Sequence, residues 1–338
     1  PALFAGAFST LLYATPYGFW PMLLGRLIWG ISWIGIWIGG TTIMLDVTGE
    51  DNRGRWVGVY HMTFFLGAGA GALLGGFFTD LFGYQTMMFV AAGLMLAGAV
   101  VALLFLPETR PVQQEGPEAV AAAEEKGGED QQDPSAELQS VWSQLKDRSF
   151  LSAMALLGSI RLVIAGFLLS TLALFLAGRF GDSVTLAGGR TLGVTSLTGI
   201  MLSINSIVSM ISAPAFGGLS DRMSNRWRTA VAGLLPGIAG FSLMGLAGSL
   251  LALLGIPLVA VTGGSSQSLS ITLVEEAGSP QYRSRRLGLL FTTGDLGSAI
   301  GPLLAFALIP LVGIQNLYLL AALLLSLMLL IAWQQSRR

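Results

Sequence analysis

Apolar residues run along this chain in blocks about as long as a bilayer is thick, separated by short polar or glycine-bearing breaks. Ten blocks cover roughly residues 3–20, 21–45, 56–79, 84–106, 150–178, 192–220, 229–249, 251–274, 287–311 and 314–333. A helix rises about 1.5 Å per residue, so about 20 residues cross a hydrocarbon core of about 30 Å. Lipid offers no partner to a backbone N–H or C=O. Each block is therefore expected to be a helix, satisfied within its own segment. A transmembrane barrel would show alternating segments of about ten residues, and none occur. Tyr17-Gly18 with Pro21, Phe82-Gly83, Gly188-Gly189 and Gly313 mark turns. The pattern predicts an all-α polytopic membrane protein.

One long break, 107–149, is of another kind. Glu115, Glu118, Glu124, Glu125, Glu129, Asp130, Asp133, Glu137 and Asp147 lie in it among Pro and Gly, so its first part reads as a solvated linker. Near its end Leu138, Val141, Trp142 and Leu145 recur at i, i+3, i+4, i+7, the stripe of an amphipathic helix. That helix is expected on the inner membrane surface, ahead of the fifth block. The expected division is a first half at 1–106, a central loop at 107–149 and a second half at 150–338.

Basic residues orient the blocks. Alternate breaks collect Arg53, Arg55, Arg110, Lys126, Lys146, Arg148, Arg222, Arg226, Arg228, Arg283, Arg285, Arg286, Arg337 and Arg338 on one side. The other side holds only Arg179 and Arg190, while Arg26 and Arg161 fall within blocks. The rich side is expected to be cytoplasmic, which places the C-terminus inside and the protein in the inner (cytoplasmic) membrane of a cell. Composition agrees. Of 338 residues, 53% are hydrophobic and 11% charged, against about 25% charged in soluble domains. Mean hydropathy is +0.70. With no Cys a disulfide scaffold is excluded, and a net charge of −1 argues against a nucleic-acid partner. The lipid bilayer is the expected surrounding, and a monomer the expected state.

A shift of 230 residues aligns two stretches. Nine of 23 positions between 53 and 75 match, among them Arg53/Arg283, Arg55/Arg285, Gly58/Gly288, Thr63/Thr293, Gly67/Gly297 and Gly71/Gly301. Compositional bias supplies Gly and Leu matches, but not readily the paired arginines. Both copies run in the same direction, as parallel repeats do. The fifth and sixth blocks have no counterpart under this shift, so a preceding hairpin is expected, making twelve helices of which ten are present here.

The residues after the sixth block read Gly217-Gly-Leu-Ser-Asp221-Arg222-Met-Ser-Asn-Arg226. They are similar to the signature G-x-L-x-D-R-x-G-R-R of the major facilitator superfamily, departing at Ser224 and Asn225. Arg26-Leu-Ile-Trp-Gly30 resembles the R-x-x-Q-G of proton-coupled members, with Trp29 in place of Gln. Gly67-x-x-x-Gly71-Ala72-x-x-Gly75-Gly76 resembles the G-x-x-x-G-P-x-x-G-G of drug antiporters, with Ala72 in place of Pro. Pro107-Glu108-Thr109 is a common ending of the sixth family helix. The resemblance covers the whole chain and implies two pseudo-symmetric six-helix halves. It also implies a cytoplasmic gate at Gly217, Asp221, Arg222 and Arg226, opposed to a short loop charged only for topology.

Further candidates come from the residues themselves. Asp295 and Arg161 lie well inside blocks, where each charge costs about 2.5–3.5 kcal/mol unless paired or wet. Arg161 could hold an anionic group, and Asp295 could exchange a proton or bind a cation. The alternative is an ion pair, or a carboxyl bonded to Thr292 or Ser298. Arg26, Trp29, Trp33 and Trp37 share one stripe, readable as an aromatic cavity wall for flat or cationic ligands or as a lipid face. Gly35 and Gly39 lie opposite, at a spacing that admits a neighbouring helix. Thr198, Asn205, Ser209 and Ser212, and Thr262, Ser265, Ser266, Gln267 and Ser270, form two polar stripes that either line a cavity or join helices. The single histidine, His61, is expected to be a satisfied interfacial imidazole. The pathway set is therefore Arg26, Trp29, Trp33, Trp37, Arg161, Asn205, Gln267 and Asp295.

The leading expectation is a secondary transporter of a small-molecule substrate, with halves rocking around a midplane site, driven by a proton gradient and needing no cofactor or metal. Efflux of lipophilic or cationic compounds is favoured by Arg26, the glycine-rich third block and the aromatic stripe. Uptake of a sugar or organic anion is the alternative, favoured by Arg161. A membrane-embedded enzyme would need a nucleophile–base pair or metal ligands, and nothing marks one.

Overall fold

The computed structural model describes residues 1–15, 18–48, 53–106, 147–185, 189, 191–223, 225–276 and 283–337. The acidic linker and the stripe at Leu138–Leu145 lie outside them. Two compact units result: Pro1–Gly67 with Leu74–Gln131, and Ala68–Leu73 with Gln132–Arg338. Among the described residues nine helices are long and apolar enough to span a membrane.

The first four helices are α1 (Ala2–Ala14), α2 (Phe19–Val47), α3 (Arg53–Phe82) and α4 (Tyr84–Phe105). The first predicted block, 3–20, is cut short: α1 has only 13 residues. Thr15 is extended, at φ −90° and ψ 116°, because the ring of the following Pro16 disfavours helical geometry there. Small residues let α1 lie close to both neighbours. Ser9 donates to the Gly25 carbonyl at 2.7 Å and Ser32 to the Ala2 carbonyl at 2.7 Å, tying α1 to α2. Gly35 admits Ala2 as its spacing suggested, whereas Gly39 has open space among the described residues. On the other side Gly6 receives the thioether of Met95 from α4.

The second unit continues with α5 (Arg148–Arg161), a π-helical turn at Leu162–Leu168 and α6 (Leu169–Phe180), which together form the fifth block. A short hairpin follows, β1 (Ser183–Thr185) antiparallel to β2 (Thr191–Gly193). Then come α7 (Val194–Arg222), α8 (Arg226–Leu246), α9 (Ser249–Leu253), α10 (Gly255–Glu276), α11 (Arg283–Val312) and α12 (Ile314–Ser336). The eighth block was expected to be continuous. It breaks at Leu254 because Pro257 lacks an N–H and its ring would strike the carbonyl four residues back, at Leu253, the last residue of α9.

Packing in this unit rests on glycine. A Cβ on Gly166 would lie 2.5 Å from the Gly301 Cα, and one on Gly297 would meet the Gly158 carbonyl, so α5 and its π-turn touch α11 backbone to backbone. Likewise a Cβ on Gly240 would lie 2.5 Å from the Gly255 carbonyl, which joins α8 to α10. In lipid, association gains from such close contact rather than from a hydrophobic force. Buried in the core of this unit are Phe150, Leu157, Leu168, Phe175, Phe241 and Tyr318. The Tyr318 hydroxyl shares a 2.9 Å hydrogen bond with Thr171, and Phe175 meets its ring edge-on at 5.0 Å.

The repeat reappears in the backbone. Helices α3 and α11 have 30 residues each and start 230 positions apart. Each is stopped by a glycine of positive φ: Gly83 at φ 82°, ψ 161° and Gly313 at φ 80°, ψ 158°. Such a conformation favours a residue without Cβ. The paired arginines 53, 55, 283 and 285 head these helices, but their side chains, like that of His61, lie outside the described residues.

Candidate functional site

In the first unit the three tryptophans of α2 form a continuous stack. Trp29 and Trp33 have centroids 6.4 Å apart at 26°, and Trp33 and Trp37 5.7 Å apart at 24°. Phe64 of α3 sets its edge against both Trp33 (5.3 Å) and Trp37 (5.4 Å). Tyr60 completes the group: its hydroxyl donates to the Ile36 carbonyl at 3.1 Å, and its ring fits where Gly40 has no side chain. Phe64 and Tyr60 were not foreseen, because sequence spacing shows a stripe but not what faces it. Arg26 is exposed one turn before Trp29 and has no partner among the described residues.

In the second unit Arg161 closes α5, directly before the π-turn, half-buried. Its stem lies against Gly294 of α11, whose added Cβ would sit 3.4 Å from the Arg161 Cγ. Asp295, the next residue, is exposed. The hydroxyls of Thr292 and Ser298 do not hold it. They donate instead to Gly288 (2.9 Å) and Gly294 (3.2 Å) in their own helix, which corrects that alternative. Neither Arg161 nor Asp295 has a hydrogen-bond or ion-pair partner among the described residues. Gln267 of α10 is half-buried. Its helix reaches the π-turn through Gly263, where a Cβ would be 3.5 Å from the Ile164 Cδ1.

Two hydroxyls of the polar stripes join helices. Ser209 of α7 donates to Ala260 of α10 at 3.0 Å, and Thr262 of α10 to Gly233 of α8 at 2.6 Å. Ser212, Ser265 and Ser266 donate within their own helices. Asn205 differs: it is 8% exposed, and its Nδ2 has no partner among the described residues. The side chain of Ser270 lies outside them.

At the signature loop Gly217 is half-buried, Asp221 and Arg222 end α7 exposed, and Arg226 opens α8 half-buried. Asn225, a departure from the signature, has its own work. Its Oδ1 accepts from the Trp227 N–H at 3.0 Å, capping α8, while Nδ2 donates to the Ser336 carbonyl at 2.9 Å. Two further charged groups had been read only for topology. Arg286, 7% exposed, pairs with Asp147 at 3.3 Å and lies over the Phe150 ring, while Asp147 caps α5 through the Ser149 N–H. Arg179 donates to the Ala247 and Met244 carbonyls at 2.5 and 3.1 Å, and so satisfies the C-terminal end of α8. Asp147, three residues before the buried Phe150, was the available sign of a cap. No local signal announced its partner, 139 positions away.

The chain is 24% identical over 206 residues to the multidrug resistance protein MdtG of Proteus mirabilis, covering 60% of this chain and 44% of that one. It is 36% identical over 113 residues to the class E tetracycline resistance protein of Escherichia coli, covering 33% of this chain and 27% of that one. It thus spans less than half the length of these curated relatives. Among solved structures, a bacterial homologue of the human lysosomal transporter Spinster has a TM-score of 0.72 at 15% identity, covering 99% of this chain and 81% of that chain. The family model of the Major Facilitator Superfamily matches residues 2–278 and 189–337. The ten-block pattern, the 230-residue repeat carried into the backbone and this match over nearly all residues agree: the chain belongs to the Major Facilitator Superfamily.

Proposed function

We propose that this chain belongs to a secondary active transporter that exports small lipophilic or cationic compounds in exchange for protons. The observation that carries the reading is Asp295, a carboxylate nine residues past the ion-paired Arg286 and without a partner among the described residues. A mid-span acid of that kind binds a proton or a cation or lines water, since otherwise its charge is not sustained. Stacked Trp29, Trp33 and Trp37 offer flat apolar faces suited to lipophilic and cationic solutes. The names of the two resistance proteins support efflux, and the distribution of Lys and Arg supports a cytoplasmic C-terminus. On this reading Asp221, Arg222 and Arg226 belong to a cytoplasmic gate.

The test is transport by the full-length protein in liposomes under an imposed pH gradient, with a lipophilic cationic dye as solute. Asp295→Asn is expected to abolish gradient-driven movement while sparing counterflow exchange. Unchanged gradient-driven transport in this variant removes Asp295 from the mechanism. No solute movement under any gradient defeats the transport reading. Arg161 favours one second reading, uptake of an organic anion, which the same assay with an organic anion as solute separates by the direction of proton flow.

A further inference from the structure

Three helices of the second unit bring Arg161, Gln267 and Asp295 to one level. Gly294, adjacent to Asp295, lies against Leu157 and the stem of Arg161. Ile164 touches α10 at Gly263. Helices α5 and α10 run in opposite directions, because α5 begins and α11 begins beside the same Asp147–Arg286 pair, and α10 ends just before α11. Three residues back from Ile164 along α5 is Arg161. Four residues onward from Gly263 along α10 is Gln267. Both steps keep to the contacting face and move the same way, by about 5 Å.

The other charged groups around this point are placed elsewhere. On elements packed against α11, Arg148 begins α5 and Arg337 follows α12, both at the end marked by Asp147 and Arg286. Arg179 is held by α8 carbonyls near the opposite end of α6. Glu275 and Glu276 close α10 near the first end, with side chains outside the described residues. At the level of Arg161, then, the described charges are one cation and one anion on touching helices, and they are not paired with each other.

Unpaired opposite charges in a membrane domain face water or meet a counter-charge that arrives from outside. A solute carrying both charges supplies both at once, and an amide between the two arms can accept or donate a hydrogen bond to its middle. We propose that Arg161, Gln267 and Asp295 form a subsite for zwitterionic compounds, with Arg161 taking the anionic end, Asp295 the ammonium end and Gln267 the polar centre. This names a substrate class for the site proposed above and rests on that reading. It does not follow from the aromatic stack, which would serve a cation alone.

Binding tests it without transport. Full-length protein in nanodiscs is titrated, by calorimetry, with a zwitterionic fluoroquinolone, its methyl ester (cation only) and its N-acetyl derivative (anion only). Wild type is expected to bind the parent at least about tenfold more tightly than either derivative. Arg161→Gln should erase the preference over the ester and keep the preference over the N-acetyl compound. Asp295→Asn should do the reverse, and Arg161→Lys should retain most of both. Equal binding of all three compounds, no binding of the parent, or uniform weakening in both variants overturns the proposal. Charge-resolved binding without solute movement in liposomes would overturn the transport reading and leave this subsite standing.

Discussion

Replacing Gly166 by Ala tests the backbone-to-backbone seam directly. The new methyl would lie 2.5 Å from the Gly301 Cα and 3.1 Å from its carbonyl carbon. Carbon atoms rest at about 3.5–4.0 Å, so α5 and α11 must part by about 1 Å or twist. A gap of that size forfeits a quarter to a half of each atom pair's attraction, itself only about 0.1–0.2 kcal/mol. Over the tens of pairs that Gly158, Leu162 and Gly166 make with Thr293, Gly297 and Gly301, the loss is about 2–3 kcal/mol, within the range of an overpacked core. Gly178→Ala, later in the same block, is the control. Its Cβ meets nothing within 4 Å among the described residues, and an alanine gains up to about 1 kcal/mol of helix propensity. The assay is thermal unfolding of the full-length protein in detergent, followed by tryptophan fluorescence. Gly166→Ala should unfold several degrees below wild type and Gly178→Ala at or above it. Equal melting of the two variants would refute the seam as a source of stability.

Other perturbations give equally specific outcomes. Asp147→Ala removes the carboxylate 3.3 Å from buried Arg286 and the cap of α5; a loss of about 2–4 kcal/mol is expected in the same melting assay, with Asp147→Asn intermediate because it keeps the cap. Asn225→Ala should cost about 1–2 kcal/mol, and Asn225→Asp should recover the capping part but not the tie to Ser336, as seen by faster hydrogen exchange at the end of α12. At the repeat junctions, Gly83→Ala and Gly313→Ala should each cost about 1–3 kcal/mol, since both sites have φ near +80° and ψ near 160°, a region open essentially to glycine; similar losses at the two sites would support their equivalence.

Much of this architecture was legible because lipid removes alternatives: long apolar runs have to be helices, and their positions follow. The repeat was legible through Arg53/Arg283 and Arg55/Arg285, and the backbone extends it to Gly83 and Gly313. Where a helix stops was harder. Pro16 and Pro257 were visible as residues, but their effect depends on the geometry before them, and hydropathy averaged across both. The π-turn after Arg161 left no trace in periodicity, since every residue in Leu162–Leu168 is apolar or Gly. At the candidate site the sequence named Arg161, Asn205, Gln267 and Asp295, yet it held no information on which of them would meet. Position separated Arg161, inside a block, from Arg179, just past its outer end, but not what each would meet: a glycine in one case, two carbonyls at the end of α8 in the other. Serines were the most ambiguous, because a hydroxyl that reaches a neighbouring carbonyl and one that reaches water are written with the same letter.

Interdigitated side chains behave like gear teeth: sliding one helix past another means lifting each ridge out of its groove. Where α5 and its π-turn meet α11 through Gly158, Gly166, Gly297 and Gly301, the teeth have been filed off. The crossing works as a plain bearing, able to pivot or glide while the gap stays closed. Friction in the second unit is therefore low beside Arg161, and low again where α8 meets α10 through Gly240 and Gly255.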